Sequence, residues 1–269
     1  MHYTEVKKRK KKNRDHTEVR RMLSERFAEQ RENVFFETVT SAREELVEDA
    51  ELYDCWMIHG ENNQRPDIDV IRSYFHDKEG RMDIIFRDSD VIVYPIPADS
   101  MEEIDNRIDD FLSYIKKQGI HAFIVHSFNM MWMEQFCSMY RSAISSLEDL
   151  RTIFPTRDCY SYQHVCFVTS IRELYESGRF YEDCKYLLGN LEHRYPLGEP
   201  IKVLEVYFLD AGMDLVDTAK RLYLHRNTAK YRLHKISHLI GIDVLDATKS
   251  QFLIMALAMG RLWENEQKA

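Results

Sequence analysis

Glycine is scarce, with nine in 269 residues, which leaves little for a phosphate-cradling loop. None of the patterns G-x-x-x-x-G-K-[ST], G-x-S-x-G or H-E-x-x-H occurs. On these grounds the chain is expected not to be an enzyme. Cysteine is also sparse. The five thiols (Cys55, Cys137, Cys159, Cys166 and Cys184) are odd in number and form no C-x-x-C pair. Neither a disulfide framework nor a zinc signature follows, so no metal and no cofactor are expected, only isolated buried or half-buried thiols in a reducing compartment. Long apolar runs are missing, and no stretch approaches the ~18–20 residues that span a bilayer. The basic run at 7–14 is followed by more charge, which is not the layout of a signal peptide. A cytoplasmic protein without a membrane partner is the expectation.

What is present is a charged, soluble composition: 30% charged and 44% hydrophobic residues, with a formal net charge of -8. That suits a globular chain of one or two domains. The opening block "KKRKKKNR" (7–14) reads as a solvated basic tail over 1–15, and 16–50 has a helix-favouring composition. From about 51 the texture changes. "YDCWMIH" (53–59), "RMDIIF" (81–86), "DVIVYPI" (90–96) and "IHAFIVH" (120–126) are short β-branched and aromatic runs that read as strands. The polar "RDSD" (87–90) joins the second and third as a hairpin.

Helices are predicted over 67–77, 101–119 and 132–150. The second places Ile104, Ile108, Phe111, Leu112 and Ile115 on one face and has Gly119 as its stop. The fold class expected is α+β: a helical N-terminal segment, then a sandwich of helices on a mostly antiparallel sheet over 51–165. A helical connector follows at 166–200, then an all-α domain at 201–264. Helices are predicted there at 201–211 (closed by Gly212), 214–222, 226–240 (closed by Gly241) and 247–263, with Asp246 as N-cap.

One segment runs against the overall charge. Residues 220–238 hold Lys220, Arg221, Arg226, Lys230, Arg232 and Lys235, three histidines and no acid. Tyr223, Leu224 and His225 are too few for a loop and suit a tight helix–turn–helix corner, with Ala219 as the small residue at the crossing. Leu224, Ala229, Leu233, Ile236 and Ile240 form an apolar stripe at helical spacing. With those inward, Arg226, Asn227, Lys230, Tyr231 and His234 fall on accessible faces. A helix about 10–12 Å across fits the major groove of DNA, leading with its N-terminal residues. Arg226 suits guanine, Asn227 suits adenine, and Thr228 offers a hydroxyl or a methyl. Lys230, Arg232 and Lys235 suit phosphates.

The stretch "EVYFLDAGMDLVDTAKRLYLHRNTAKYRLHKISHLIGIDVLDATKSQFLIMALAM" (205–259), and above all "HRNTAKYRL" (225–233) with Thr218 and Ala219 upstream, resembles the C-terminal domain of bacterial PucR/CdaR-type transcription regulators. The resemblance implies a helix–turn–helix that binds double-stranded DNA as a homodimer, under the control of a small-molecule effector. It also implies that 51–165 is a degenerate GGDEF-like, cyclase-related domain, since "MDIIFRDSDVIVYPIP" sits where that domain's central hairpin would be.

Three other readings compete. A working cyclase needs a glycine-rich hairpin turn, and here the turn is "RDSD", whose Asp88 and Asp90 read as solvent-facing turn formers. His234 and His238, one helical turn apart, have metal-ligand spacing but lie on the basic helix, where phosphate or solvent is the commoner neighbour. An interaction protein, whose helix–turn–helix contacts partner regulators instead of DNA, is compatible with the same residues.

Overall fold

The computed structural model describes residues 53–61, 66–76, 83–87, 90–97, 100–127, 133–178, 180–195 and 198–268. The expected basic tail at 1–15, the segment at 16–50 expected to be helical, and Asp88 lie outside the described residues. Compactness divides the chain into two units between Tyr140 and Arg141.

The first unit is built on strand β1 (Tyr53–Gly60). Helix α1 (Ile68–His76) follows, then the hairpin β2 (Asp83–Arg87) and β3 (Asp90–Pro97), helix α2 (Met101–Lys117) and strand β4 (Ala122–Ser127). The order across the sheet is β2-β3-β1-β4, and every pairing is antiparallel. Arg87 faces Asp90 across the expected hairpin. Residues 54–59 of β1 are all buried, which requires cover on both faces of the sheet.

On one face Trp56 meets Phe75 of α1 and Phe111 of α2, with ring centroids 5.7 and 5.5 Å apart. Tyr74 lies edge-on to Phe111 at 5.0 Å. Helix α2 presents Ile104, Ile108, Phe111 and Ile115 to this core, and Leu112 is only half-buried. Ser100 caps it by accepting from the Glu103 N–H, and Gly119 ends it at φ +77°.

Polar groups inside this unit are matched in pairs. Asp54, fully buried, accepts from the Trp56 indole N–H at 2.7 Å and from the Cys55 backbone at 3.0 Å, and lies 3.2 Å from His126 Nδ1. Asp90 lies 2.6 Å from His59 Nδ1 and accepts from the Tyr140 hydroxyl at 3.0 Å. The expectation that Asp90 faces solvent is therefore wrong: it is 3% exposed. Its register opposite His59 turns it inward.

Helix α3 (Met133–Ile153) begins in the first unit and ends in the second. The second continues with the short strand β5 (Cys159–Ser161), α4 (Tyr162–Ser177), α5 (Tyr181–Arg194) and α6 (Glu199–Glu205). The segment expected as a connector is helical, and α4 and α5 both pack on the last helix, α9 (Gln251–Lys268). Cys166, expected to be at least half-buried, is exposed because it lies on the outer face of α4.

A regular helix was expected over 201–211. Instead α6 gives way to a π-turn at Val206–Asp210, closed by the Ala211 N–H on the Val206 carbonyl at 2.8 Å. Residues 203–210 are buried throughout. In an α-helix, residues five apart diverge by roughly 140°, whereas the i→i+5 bond of a π-turn brings them back onto one side. Here those residues are Glu205 and Asp210, and both meet Arg261 of α9. The guanidinium holds Asp210 by two bonds of 2.8 and 2.9 Å, lies 3.7 Å from Glu205 and donates to the Ile153 carbonyl. The last helix also starts later than expected. Asp246 does not cap it; its carboxylate accepts from the Thr248 backbone and hydroxyl in a turn, and regular helix begins at Gln251.

Candidate nucleic-acid interface

Two short helices make the corner. Asp214 caps α7 (Leu215–Arg221), accepting from the N–H groups of Val216 and Asp217, both at 2.7 Å. The chain then turns through Leu222, Tyr223 and Leu224. The Leu224 N–H reaches back to the Ala219 carbonyl at 2.8 Å and the Tyr223 N–H to Lys220 at 3.2 Å. That bond pair, with Tyr223 at φ +55°, is a Schellman closure. His225 follows as the cap of α8 (Arg226–Ile240), its ring Nδ1 accepting from the Asn227 N–H at 3.3 Å. Gly241 ends α8 in the left-handed conformation at φ +74°.

The helix sits by its inner stripe. Ala229, Leu233 and Ile236 are buried against the crossing helix, whose Thr218 and Ala219 are buried in turn. Leu224 and Ile240, expected inward, are half-buried, as are Leu215 and Leu222 of the corner. The Ser237 hydroxyl donates to the Leu233 carbonyl and accepts from the Val244 N–H at 3.1 Å, tying the following turn to the helix.

With that stripe fixed, Arg226, Asn227, Thr228, Lys230, Tyr231, His234 and Lys235 are all exposed. None of the four basic side chains among them has an acidic partner among the described residues. Arg232 differs. It is half-buried, and its guanidinium donates to Glu199 of α6 at 2.7 Å. Arg221 likewise is held by Asp217. The outward set thus narrows to Arg226, Lys230, His234 and Lys235, with Asn227 and Thr228 at the leading end. Such a surface can fork onto base edges at its N-terminus and grip phosphates further along. Two contributors escaped the sequence reading. His225 was not assigned as a cap, although a polar residue just before a periodic run is the signal for one. Glu199, 33 residues from Arg232, left no local signal.

Among the described residues no group of three or more His, Cys, Asp or Glu is placed to hold a metal ion. No described helix is long and apolar enough to cross a membrane.

Residues 201–259 match the family of PucR C-terminal helix-turn-helix domains. A purine catabolism regulatory protein from Bacillus subtilis (strain 168) is 44% identical over 62 residues, which are 23% of this chain and 12% of that protein. The chain therefore matches only a small part of that curated relative. A solved structure, the regulator of polyketide synthase expression from Bifidobacterium adolescentis, aligns over 94% of this chain and 96% of its own. It does so at 16% identity and a TM-score of 0.38, too low for the fold to be carried over.

Proposed function

We propose, from a chain whose C-terminal domain belongs to the PucR helix–turn–helix family, that this protein is a cytoplasmic transcription regulator that binds double-stranded DNA sequence-specifically. The observation that carries the proposal is the outer face of α8: capped, seated by a buried stripe, and holding four basic side chains with no acidic partner among the described residues. Arg226, Asn227 and Thr228 meet base edges; Lys230, Tyr231, His234 and Lys235 meet the backbone, with Arg232 joining them when Glu199 releases it. An acidic remainder discourages unspecific sticking to DNA.

The protein acts as a homodimer on an inverted repeat, with half-sites about 34–36 Å apart or a multiple of that. The region 51–165 serves as a degenerate GGDEF-like domain for dimerisation, and a small-molecule effector bound there changes the spacing of the two reading heads. The chain carries out no catalysis in this scheme. The bounds 51–165, 166–200 and 201–264 belong to the same proposal.

The test is selection of sheared genomic DNA on the purified protein at physiological salt, followed by sequencing of the retained fragments. An enriched inverted repeat is the expected outcome. A folded, dimeric protein that retains no sequence preferentially would favour the competing role, in which the corner binds a partner regulator. Salt separates the two, since phosphate contacts give a steep dependence.

A further inference from the structure

The corner between α7 and α8 contains a residue that the fold does not explain. Tyr223 occupies the left-handed position of the Schellman closure, at φ +55°. Glycine is the usual occupant there, because a Cβ crowds the following carbonyl. A bulky aromatic residue at φ > 0 is uncommon and unfavourable. Nothing in the fold offsets that cost. The side chain is 96% exposed, and its ring and hydroxyl have no partner among the described residues. An unfavourable backbone position holding a side chain that does nothing for the fold points to a contact outside the molecule.

The surroundings identify the partner. Tyr223 lies two residues before the cap of α8, at the end of that helix which leads into the groove. A side chain projecting from the turn there meets the wall of the groove, not its floor, and the wall is sugar and phosphate. The other end of α7 does not suit phosphate, because Asp214 caps it and Asp217 lies in its first turn. Lys220, whose carbonyl accepts from the Tyr223 N–H, is exposed on the same corner and adds a cation.

We infer that Tyr223 is a DNA-backbone contact: its phenol donates to a phosphate oxygen at the rim of the groove entered by α8, and its ring packs on the adjoining deoxyribose. This rests on the DNA-binding role proposed above and adds to it a residue outside the recognition helix, one that contributes affinity without sequence preference.

The test uses the full chain, the selected duplex and a scrambled duplex of equal length. Tyr223→Gly suits the turn and removes the ring. It is expected to hold or raise the melting temperature and to weaken binding to both duplexes by a common factor of about 5–20. The salt slope stays as in the wild type, because the phenol is uncharged. Tyr223→Phe is expected to lose most of the same factor; wild-type affinity in that variant would overturn the phosphate bond. A Tyr223→Gly protein that binds both duplexes like the wild type, while Lys230→Ala weakens both, overturns the inference alone. So does a lower melting temperature in Tyr223→Gly, which would give the ring a role in the fold. If the wild type binds neither duplex, or Lys230→Ala has no effect, the DNA-binding role fails and the inference falls with it.

Discussion

Strand β1 and helix α8 treat polar side chains in opposite ways. On β1, Asp54 and His59 are buried, and each is matched: Asp54 by Trp56, Cys55 and His126, and His59 by Asp90. On α8 the polar side chains face outward, and Arg226, Lys230, His234 and Lys235 have no acid beside them among the described residues. A buried polar group left unmatched costs more than a hydrogen bond gives back, so the fold completes its own networks inside. An exposed, unmatched cation costs little, because water serves it until something better arrives. Matched groups therefore report on stability and unmatched ones on partners. Mutations should separate the two.

The largest expected effect comes from the matched charges of the second unit. Arg261→Met leaves Asp210 buried without its cation and Glu205 with Lys202 alone, and is expected to cost about 3–5 kcal/mol of that unit's stability. Urea unfolding followed by helical circular dichroism measures it. A loss below about 1 kcal/mol would mean that the π-turn at Val206–Asp210 is held by packing alone. In the first unit, Asp54→Ala strands the buried Trp56 indole N–H, with an expected cost of about 1–3 kcal/mol. DNA affinity under native conditions should be unchanged in both variants. A specific loss of DNA discrimination in Asp54→Ala would break the contrast, since a buried pair would then be reporting on the partner.

The α8 variants should behave in reverse. Arg226→Ala and Asn227→Ala are each expected to lose about 1–3 kcal/mol of discrimination at one base pair, with stability within about 0.5 kcal/mol of wild type. Competition between the selected duplex and single-base variants measures it. Equal losses on specific and random DNA would remove their base-reading role. Lys230→Ala should weaken all sequences alike and lower the salt slope by about one. Arg232→Ala should do less, because Glu199 already holds that guanidinium at 2.7 Å. Glu199→Gln is then expected to strengthen DNA binding by releasing it; no gain would mean that Arg232 faces away from the backbone in the complex.

How much of this was legible in the sequence follows from the range of the forces involved. The bounds of α8, Arg226–Ile240 with Gly241 beyond, were readable because periodicity, caps and a left-handed stop act over a few residues. The hairpin partners and the inward face of α2 were readable for the same reason. Asp90 was misplaced because a turn-forming residue at a hairpin tip looks solvated, and only its pairing with His59, 31 positions away, puts it inside. The π-turn turns Asp210 toward Arg261, 51 residues further along, which no local pattern announces. The late start of α9 depends on Asp246 favouring a local turn over a cap. Within the interface, the outward residues were named from the stripe alone. The engagement of Arg232 by Glu199, 33 residues away, and the left-handed backbone of Tyr223 leave no local signal in the sequence.

The smallest expected effect tests whether exposure alone explains the unmatched face of α8. Asp246 and Lys249 lie in the turn after that helix, near the surface, and they do find partners: the Thr248 hydroxyl donates to the carboxylate, and the Lys249 ammonium lies 2.9 Å from it. These contacts, the Thr248 hydrogen bond foremost, hold the Asp246 carboxyl well below the usual carboxylate range. A folded pKa below the unfolded one gives stability that is present above the unfolded value, about 3.9, and lost as the pH falls through the folded one. The difference in melting temperature between wild type and Asp246→Asn is therefore expected to be constant near neutral pH and to shrink on acidification below about pH 4. A difference that stays the same into strong acid would mean that the carboxylate gains nothing from its neighbours in the fold. The shrinking difference would show a surface acid in this unit held by neighbouring donors, which makes the lack of an acidic partner for Arg226, Lys230 and Lys235 among the described residues a property of that face, one suited to phosphate.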